Sequence, residues 1–212
     1  MGHMAQAVKL PGARVLITGG SSGIGLATAR QFARHGADIV LLARNIERLE
    51  AACEAVSTER RDSSQLVWTS SVDITDTAAV AMTVAELADE GFTPDILVNC
   101  AGGIEAVEFE RMGLETFRHV METYFFGLVN VTDAVLPFMT ARGSGAIVNV
   151  SSVAGFIGVY GYTAYSSAKL ATMGFSECLR KEVKPLGLSV HVVCPPDTDT
   201  PFLTYEKSHR PA

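Results

Sequence analysis

Tyr165 and Lys169 stand four residues apart in "YSSAK" (165–169). On a helix that spacing puts both side chains on one face, about one turn apart. A phenol with a pKa of about 10 carries protons poorly at neutral pH. An ammonium about 4 Å away, at an effective dielectric near 20, favours the phenolate by about 4 kcal/mol. That is roughly three pKa units, enough to make Tyr165 a candidate general acid/base tuned by Lys169. Chance occurrences of this pair are frequent, and it gains weight from Ser152, a hydroxyl at the end of the apolar run "GAIVNVSS" (145–152). Ligands of open parallel sheets bind outside the C-terminal ends of such strands.

A second group suits phosphate. In "TGGSSGIG" (18–25), Gly19, Gly23 and Gly25 alternate with Ser21, Ser22 and Ile24, between a β-branched run and a helical one. Glycines permit a sharp turn and close approach to a phosphate, and the helix start supplies free N–H groups. A bare turn would look the same in isolation; the position after the first strand of a βαβ unit favours a nucleotide. The spacing carries one residue more between its first two glycines than the simple GxGxxG form. The second strand ends "LLARN" (41–45), with no acid before Glu47 to bind a ribose 2′-hydroxyl. Arg44 and Arg48, four apart at a helix start, can share a face. Two guanidinium groups there suit a 2′-phosphate and hence NADP; a solvated surface pair is the alternative.

The elements that must position these groups alternate strictly. Strands are expected at 14–18, 37–44, 65–71, 95–103, 145–152 and 188–194, with helices at 24–36, 46–60, 75–91, 121–139 and 165–183. Runs that are apolar throughout indicate strands covered on both faces. Strict succession predicts an α/β fold of the Rossmann type, a doubly wound parallel sheet of six strands. The opening "MGHM" (1–4) reads as an expression-tag remnant and residues 5–212 as one domain.

Bulk properties narrow the rest. Of the 212 residues, 48% are hydrophobic and 19% charged, which supports a sizeable core. The net charge of −6 argues against a nucleic-acid surface. No window approaches ~20 consecutive apolar residues, so no membrane span is expected. Cys53, Cys100, Cys178 and Cys194 lack zinc-like spacing and read as core thiols of a cytoplasmic protein. "DTDTP" (197–201) lacks the glycine and further oxygen ligands of a calcium loop, and no metal is expected.

These motifs, with "VDI" (72–74), "NCAG" (99–102), "NVSS" (149–152) and a proline-led loop after the sixth strand, occur in the order seen in the short-chain dehydrogenases/reductases, which the chain resembles over about 14–201. The resemblance implies a carbonyl reduction in which hydride passes from the nicotinamide while Tyr165 protonates the oxygen. Lys169 would also hold the nicotinamide ribose, and Ser152 would orient the carbonyl. Asp73 and Ile74 would touch the adenine, although Asp73 would equally suit a helix cap. Asn99, Ala101 and Gly102 would line the cofactor. In the loop led by Pro195, the backbone around Thr198 would bind the carboxamide, and Thr200 would reach the carboxamide or pyrophosphate. Homodimers or homotetramers through the long helices are also implied.

The sequence departs from that pattern in places. Tyr124 stands where many members have an asparagine three residues before a glycine (here Gly127), so the water-linked relay to the lysine is altered or Tyr124 supplies its own hydroxyl. The chain ends at "FLTYEKSHRPA", before the substrate lid and seventh strand expected of the family. Pro196 replaces the usual glycine, and "PPDTDTP", "TAYSSAK", "EVKP" and "LLARN" resemble the 3-ketodihydrosphingosine reductases. That implies NADPH-dependent reduction of 3-ketosphinganine, with Phe156, Ile157, Val159, Tyr160, Tyr162, Phe202 and Leu203 as apolar walls and peripheral contact with a membrane. A generic carbonyl or 3-oxoacyl thioester reductase shares every motif but the proline pair. An NADP-binding regulatory protein would accommodate Tyr124.

Overall fold

Stretches in which branched apolar residues follow one another without polar alternation form strands buried on both faces. The computed structural model describes residues 8–103, 106–201, 203, 204 and 207. Its strands are Arg14–Thr18 (β1), Asp38–Ala43 (β2), Val67–Ser71 (β3), Ile96–Asn99 (β4), Gly145–Val150 (β5) and Leu188–Val193 (β6). All pair in parallel, in the order β3-β2-β1-β4-β5-β6. The helices are Gly23–Arg34 (α1), Ile46–Ser57 (α2), Thr77–Asp89 (α3), Leu114–Met121 (α4), Gly127–Arg142 (α5) and Thr163–Val183 (α6).

The sheet separates two apolar layers. Val15 and Ile17 of β1 and Ile39 and Leu41 of β2 pack with Ala29 and Ala33 of α1 and Leu49 and Val56 of α2. On the other face Leu16, Val40 and Leu42 meet Val80 and Val84 of α3, Val131, Val135 and Met139 of α5, and Leu179 and Val183 of α6. Each such fully buried Val, Leu or Ile contributes about 1.5–3 kcal/mol. These opposed layers make the sheet doubly wound, as the alternation of strand and helix predicts.

The longest expected helix is the one the structure changes most. Instead of 121–139, helical backbone runs from 114 to 142, with a π-helical turn at Glu122–Phe126 between α4 and α5. α4 shows Val120 as its buried residue, so its polar composition hides it from an apolar-run reading. The stretch Leu114–Arg142, with a mean hydropathy of 1.2 in its best window, is long and apolar enough to cross a membrane by length and composition. The expectation of no span relied on uninterrupted apolar runs. Val131, Val135 and Met139 are fully buried against the sheet, and 39% of that window is buried inside the protein. The tag reading for residues 1–4 and the domain's start at residue 5 lie outside the described residues.

Candidate active site

β1 and β4 are neighbours in the sheet, yet α1, which follows β1, covers one face and α5, which follows β4, covers the other. The chain therefore parts at their C-terminal ends, and a crevice opens there. A cavity of about 440 Å³ occupies it, and every residue expected to bind cofactor except Asn99 lines its wall.

The glycine-rich turn is shaped for close approach. Gly19 has φ +68°, and a Cβ there would stand 2.7 Å from the Ala101 Cα. A Cβ on Gly25 would run into the Gly19 carbonyl. Ser22, at the N-cap of α1, makes no side-chain capping bond, which leaves the first-turn N–H groups facing the cleft. Thr18 Oγ1 accepts the N–H groups of Cys100 (3.0 Å) and Ala101 (3.1 Å), tying the end of β1 to the loop after β4. Ser21, Ser22, Gly23 and Ile24 complete this wall. The turn fits a dinucleotide pyrophosphate: it places uncapped backbone donors of a helix N-terminus at the cleft, and its glycines let it pack closely on the loop after β4.

Toward β2 and β3 the lining is Arg44, Arg48, Asp73 and Ile74. Arg44 precedes α2, whose N-cap is Asn45, so the two arginines meet at the cleft without sharing a helical face. The Asn45 side chain accepts the Arg48 N–H at 2.8 Å. Arg44 Nη1 lies 3.8 Å from the Asp73 carboxylate. Burial works against the charge on Asp73, but bonds from the Thr75 N–H (3.0 Å) and hydroxyl (2.9 Å), together with Arg44 and His119, hold its carboxyl below the usual range. Asp76, rather than Asp73, caps α3, which leaves Asp73 to the cleft.

Asn99 departs from expectation. It is 3% exposed and donates to Thr132 Oγ1 (3.1 Å) and Asn149 Oδ1 (2.9 Å), so it braces the floor instead of lining the cleft. Asn149 continues this chain of bonds to Ser176 in α6 at 2.8 Å. Ala101 and Gly102 do line the cavity.

Ser152, Tyr165 and Lys169 converge beyond β5. Ser152 Oγ accepts the Ala154 N–H at 3.2 Å, which leaves its own proton available. Ser151 Oγ donates to the Lys169 carbonyl at 2.9 Å and pins α6 against the end of β5. Lys169 Nζ donates to Val150 O at 2.8 Å and lies 5.6 Å from the Tyr165 ring centroid. Burial pushes the Lys169 ammonium down to about 8, with Cys100 and Cys194 acting the other way. Burial pushes the Cys100 thiol up to about 11, opposed by Lys169.

The loop after β6 closes this end. Pro195, Thr198 and Thr200 line the cavity, and a Cβ on Gly23 would touch Thr200 Cγ2 at 3.4 Å. Thr198 Oγ1 donates to Pro196 O (2.8 Å) and Thr200 Oγ1 to Thr198 O (3.2 Å), a compact hydroxyl-stitched turn. Among the expected apolar walls, Val159, Tyr162 and Leu203 line the cavity, while Phe156, Ile157 and Tyr160 are exposed on the adjoining loop. Phe202 lies outside the described residues. Thr18 and Thr123 were not singled out from sequence. Thr18's signal is a hydroxyl at the strand end directly before the glycines; Thr123, which lines the cavity beside Tyr124, has none.

The switch-point crevice, the glycine-rich turn and the open helix start define a dinucleotide-binding fold. A family model described as short chain dehydrogenase matches residues 13–211. The chain belongs to the short-chain dehydrogenase/reductase family of oxidoreductases. It is 42% identical to the 3-ketodihydrosphingosine reductase of Bos taurus over 95% of its length, spanning 61% of that protein. It also superposes on the crystal structure of a variant actinorhodin polyketide ketoreductase with NADPH, with a TM-score of 0.88, 29% identity and coverage of 96% of this chain and 77% of that one. NAD+-bound xylitol dehydrogenase gives a TM-score of 0.83 and 29% identity, covering 89% and 72%. The same fold thus accepts either nicotinamide cofactor.

Proposed function

We propose that this chain uses NADPH to reduce 3-ketosphinganine to sphinganine. The observation that carries the reaction class is the convergence of Ser152, Tyr165 and Lys169 in a cleft that extends to Arg44 and Arg48. The identity to a 3-ketodihydrosphingosine reductase supports the choice of substrate. Val159, Tyr162 and Leu203 on the wall, with exposed Phe156, Ile157 and Tyr160 beside it, suit an alkyl chain.

When bound, the nicotinamide supplies the hydride. Ser152 donates a hydrogen bond from its hydroxyl to the substrate carbonyl and orients it. Tyr165 delivers the proton to the oxygen as negative charge develops there, and Lys169 lowers the cost of the resulting phenolate. Arg44 and Arg48 would hold the 2′-phosphate, and the turn Gly19–Gly25 would hold the pyrophosphate at the N-terminus of α1. Asp73 and Ile74 would contact the adenine, and Pro195, Thr198 and Thr200 would hold the carboxamide end. The reading carries with it a cytoplasmic homodimer or homotetramer that meets membranes peripherally, through its lipid substrate.

The test is an assay with NADPH and with NADH, offering 3-ketosphinganine and acetoacetyl-CoA. Turnover of 3-ketosphinganine with NADPH is expected, falling by about 10²–10⁴-fold in Tyr165→Phe. Turnover of the thioester alone would assign the chain to the 3-oxoacyl reductases. Preference for NADH would overturn the role of the two arginines. NADPH binding with no turnover of either ketone would favour a regulatory protein.

A further inference from the structure

Lys169 is a cation withdrawn from water at the centre of the proposed site, with burial as the largest influence on it. Burying a charge is costly unless something replaces its hydration. Among the described residues its ammonium donates a hydrogen bond to Val150 O at 2.8 Å and faces two phenol rings. The nearer ring is that of Tyr124, 5.0 Å from Nζ to the centroid; Tyr165 lies at 5.6 Å. The rings meet edge to face, with centroids 5.2 Å apart and an interplanar angle of 87°. Tyr124 is only 6% exposed. It sits in the π-helical turn Glu122–Phe126, a local widening of the helix of the kind often found at functional sites. From the other side the loop after β4 closes directly on it: a Cβ on Gly102 would run into Tyr124 Cε1. One ring therefore touches the cofactor-lining loop, the lysine and the tyrosine.

We propose that Tyr124 is a positioning residue whose ring face binds the Lys169 ammonium by a cation–π contact and holds it against Tyr165. The ring replaces part of the lost hydration, keeps the lysine charged, and so keeps the phenolate of Tyr165 accessible. The ring face, not the hydroxyl, performs this task. The proposal deepens the reductase reading and rests on it for its catalytic consequence, but not for the contact itself. Among the described residues, the ionisable groups around Lys169 are Tyr124 on the π turn, Tyr165 one turn before it on α6, Cys100 after β4 and Cys194 after β6.

The test titrates Lys169 directly in the full chain without ligand, by NMR of ¹³Cε-labelled lysine, with Lys169→Met assigning the resonance. The wild-type midpoint is expected near 8. Tyr124→Phe should keep that midpoint. Replacing residue 124 by phenylalanines of increasing fluorination, which preserve ring shape while draining the face of charge, should lower it stepwise by about one pH unit. Tyr124→Leu should match the most fluorinated ring; if that variant does not fold, the fluorinated series decides alone. A midpoint insensitive to fluorination, or lowered as far in Tyr124→Phe as by full fluorination, overturns the proposal. In the alcohol-oxidising direction, activity rises as Tyr165 deprotonates. A less charged lysine favours the phenolate less, so the same series should move that limb to higher pH by a similar amount. Should the wild type convert no ketone or alcohol, the reductase reading fails while the titration still decides the role of Tyr124.

Discussion

Lys169 shows how a single residue serves opposite demands of stability and function. An ammonium with a folded pKa near 8 against about 10.4 in the unfolded chain disfavours folding wherever it is charged in both states. Between those values the unfolded chain binds more protons than the folded one, so stability rises with pH across that window. Below about pH 8 the full cost is present, and above about pH 10.5 it is gone. Lys169→Met should therefore be more stable than the wild type at pH 7, with the difference shrinking by about 2–3 kcal/mol at pH 10. Urea denaturation at the two pH values measures this; parallel pH dependence in the two proteins would contradict it. Tyr165 and Lys169 were legible in the sequence because four residues span about one helical turn, and Ser152 because it ends an apolar strand run, with its role implied by the family resemblance. Thr18 was not, because its value lies in bonds to Cys100 and Ala101, more than eighty residues away.

At the scale of elements, the loop after β1 is constrained by the loop after β4. Gly19→Ala would meet both a positive φ and the Ala101 backbone at 2.7 Å. Loss of about 1–3 kcal/mol is expected from the backbone conformation alone, together with at least tenfold weaker NADPH binding as the two loops are forced apart. Gly91, with φ +85° and open space around its would-be Cβ, is the control: Gly91→Ala should lose stability but not affinity. Thermal melting and NADPH fluorescence titration separate the two. The glycine turn and strand limits were readable to within a few residues, because local sterics and continuous burial leave marks in the sequence. The π turn left none, since nothing local distinguishes Glu122–Phe126 from ordinary helix. Asp73 likewise suited a helix cap by sequence, until the Asp76 side chain, accepting the Ala79 N–H, proved to cap α3.

For the whole molecule, the cleft exists because helices leave β1 and β4 toward opposite faces. A dinucleotide bound there joins the ends of β2, β1, β4, β5 and β6, so binding should stabilise the entire sheet. At 100 times its dissociation constant, NADPH should add about 2.7 kcal/mol, a rise of roughly 5–10 °C in melting temperature. NADH at the same concentration should give a smaller shift. The double variant Arg44→Ser/Arg48→Ser should bring the NADPH shift down to that of NADH; differential scanning fluorimetry checks both. An undiminished NADPH shift in that variant would remove the arginines from the cofactor site. The relative from Bos taurus is matched over only 61% of its length, so substrate choice in this chain is tested by assay and not by outline.

From sequence alone came the order of strands and helices, the parallel sheet, the glycine-rich turn after β1 and the candidate trio Ser152, Tyr165 and Lys169. Each of these depends on periodicity or on the conformational limits of neighbouring residues, and such information is local. The tertiary structure decided that Asn99 braces the floor through Thr132 and Asn149, that Arg44 pairs with Asp73, and that Tyr124 lies between Gly102, Lys169 and Tyr165. Those contacts join residues distant in the chain, and side-chain packing across the sheet selects them after the local preferences are spent.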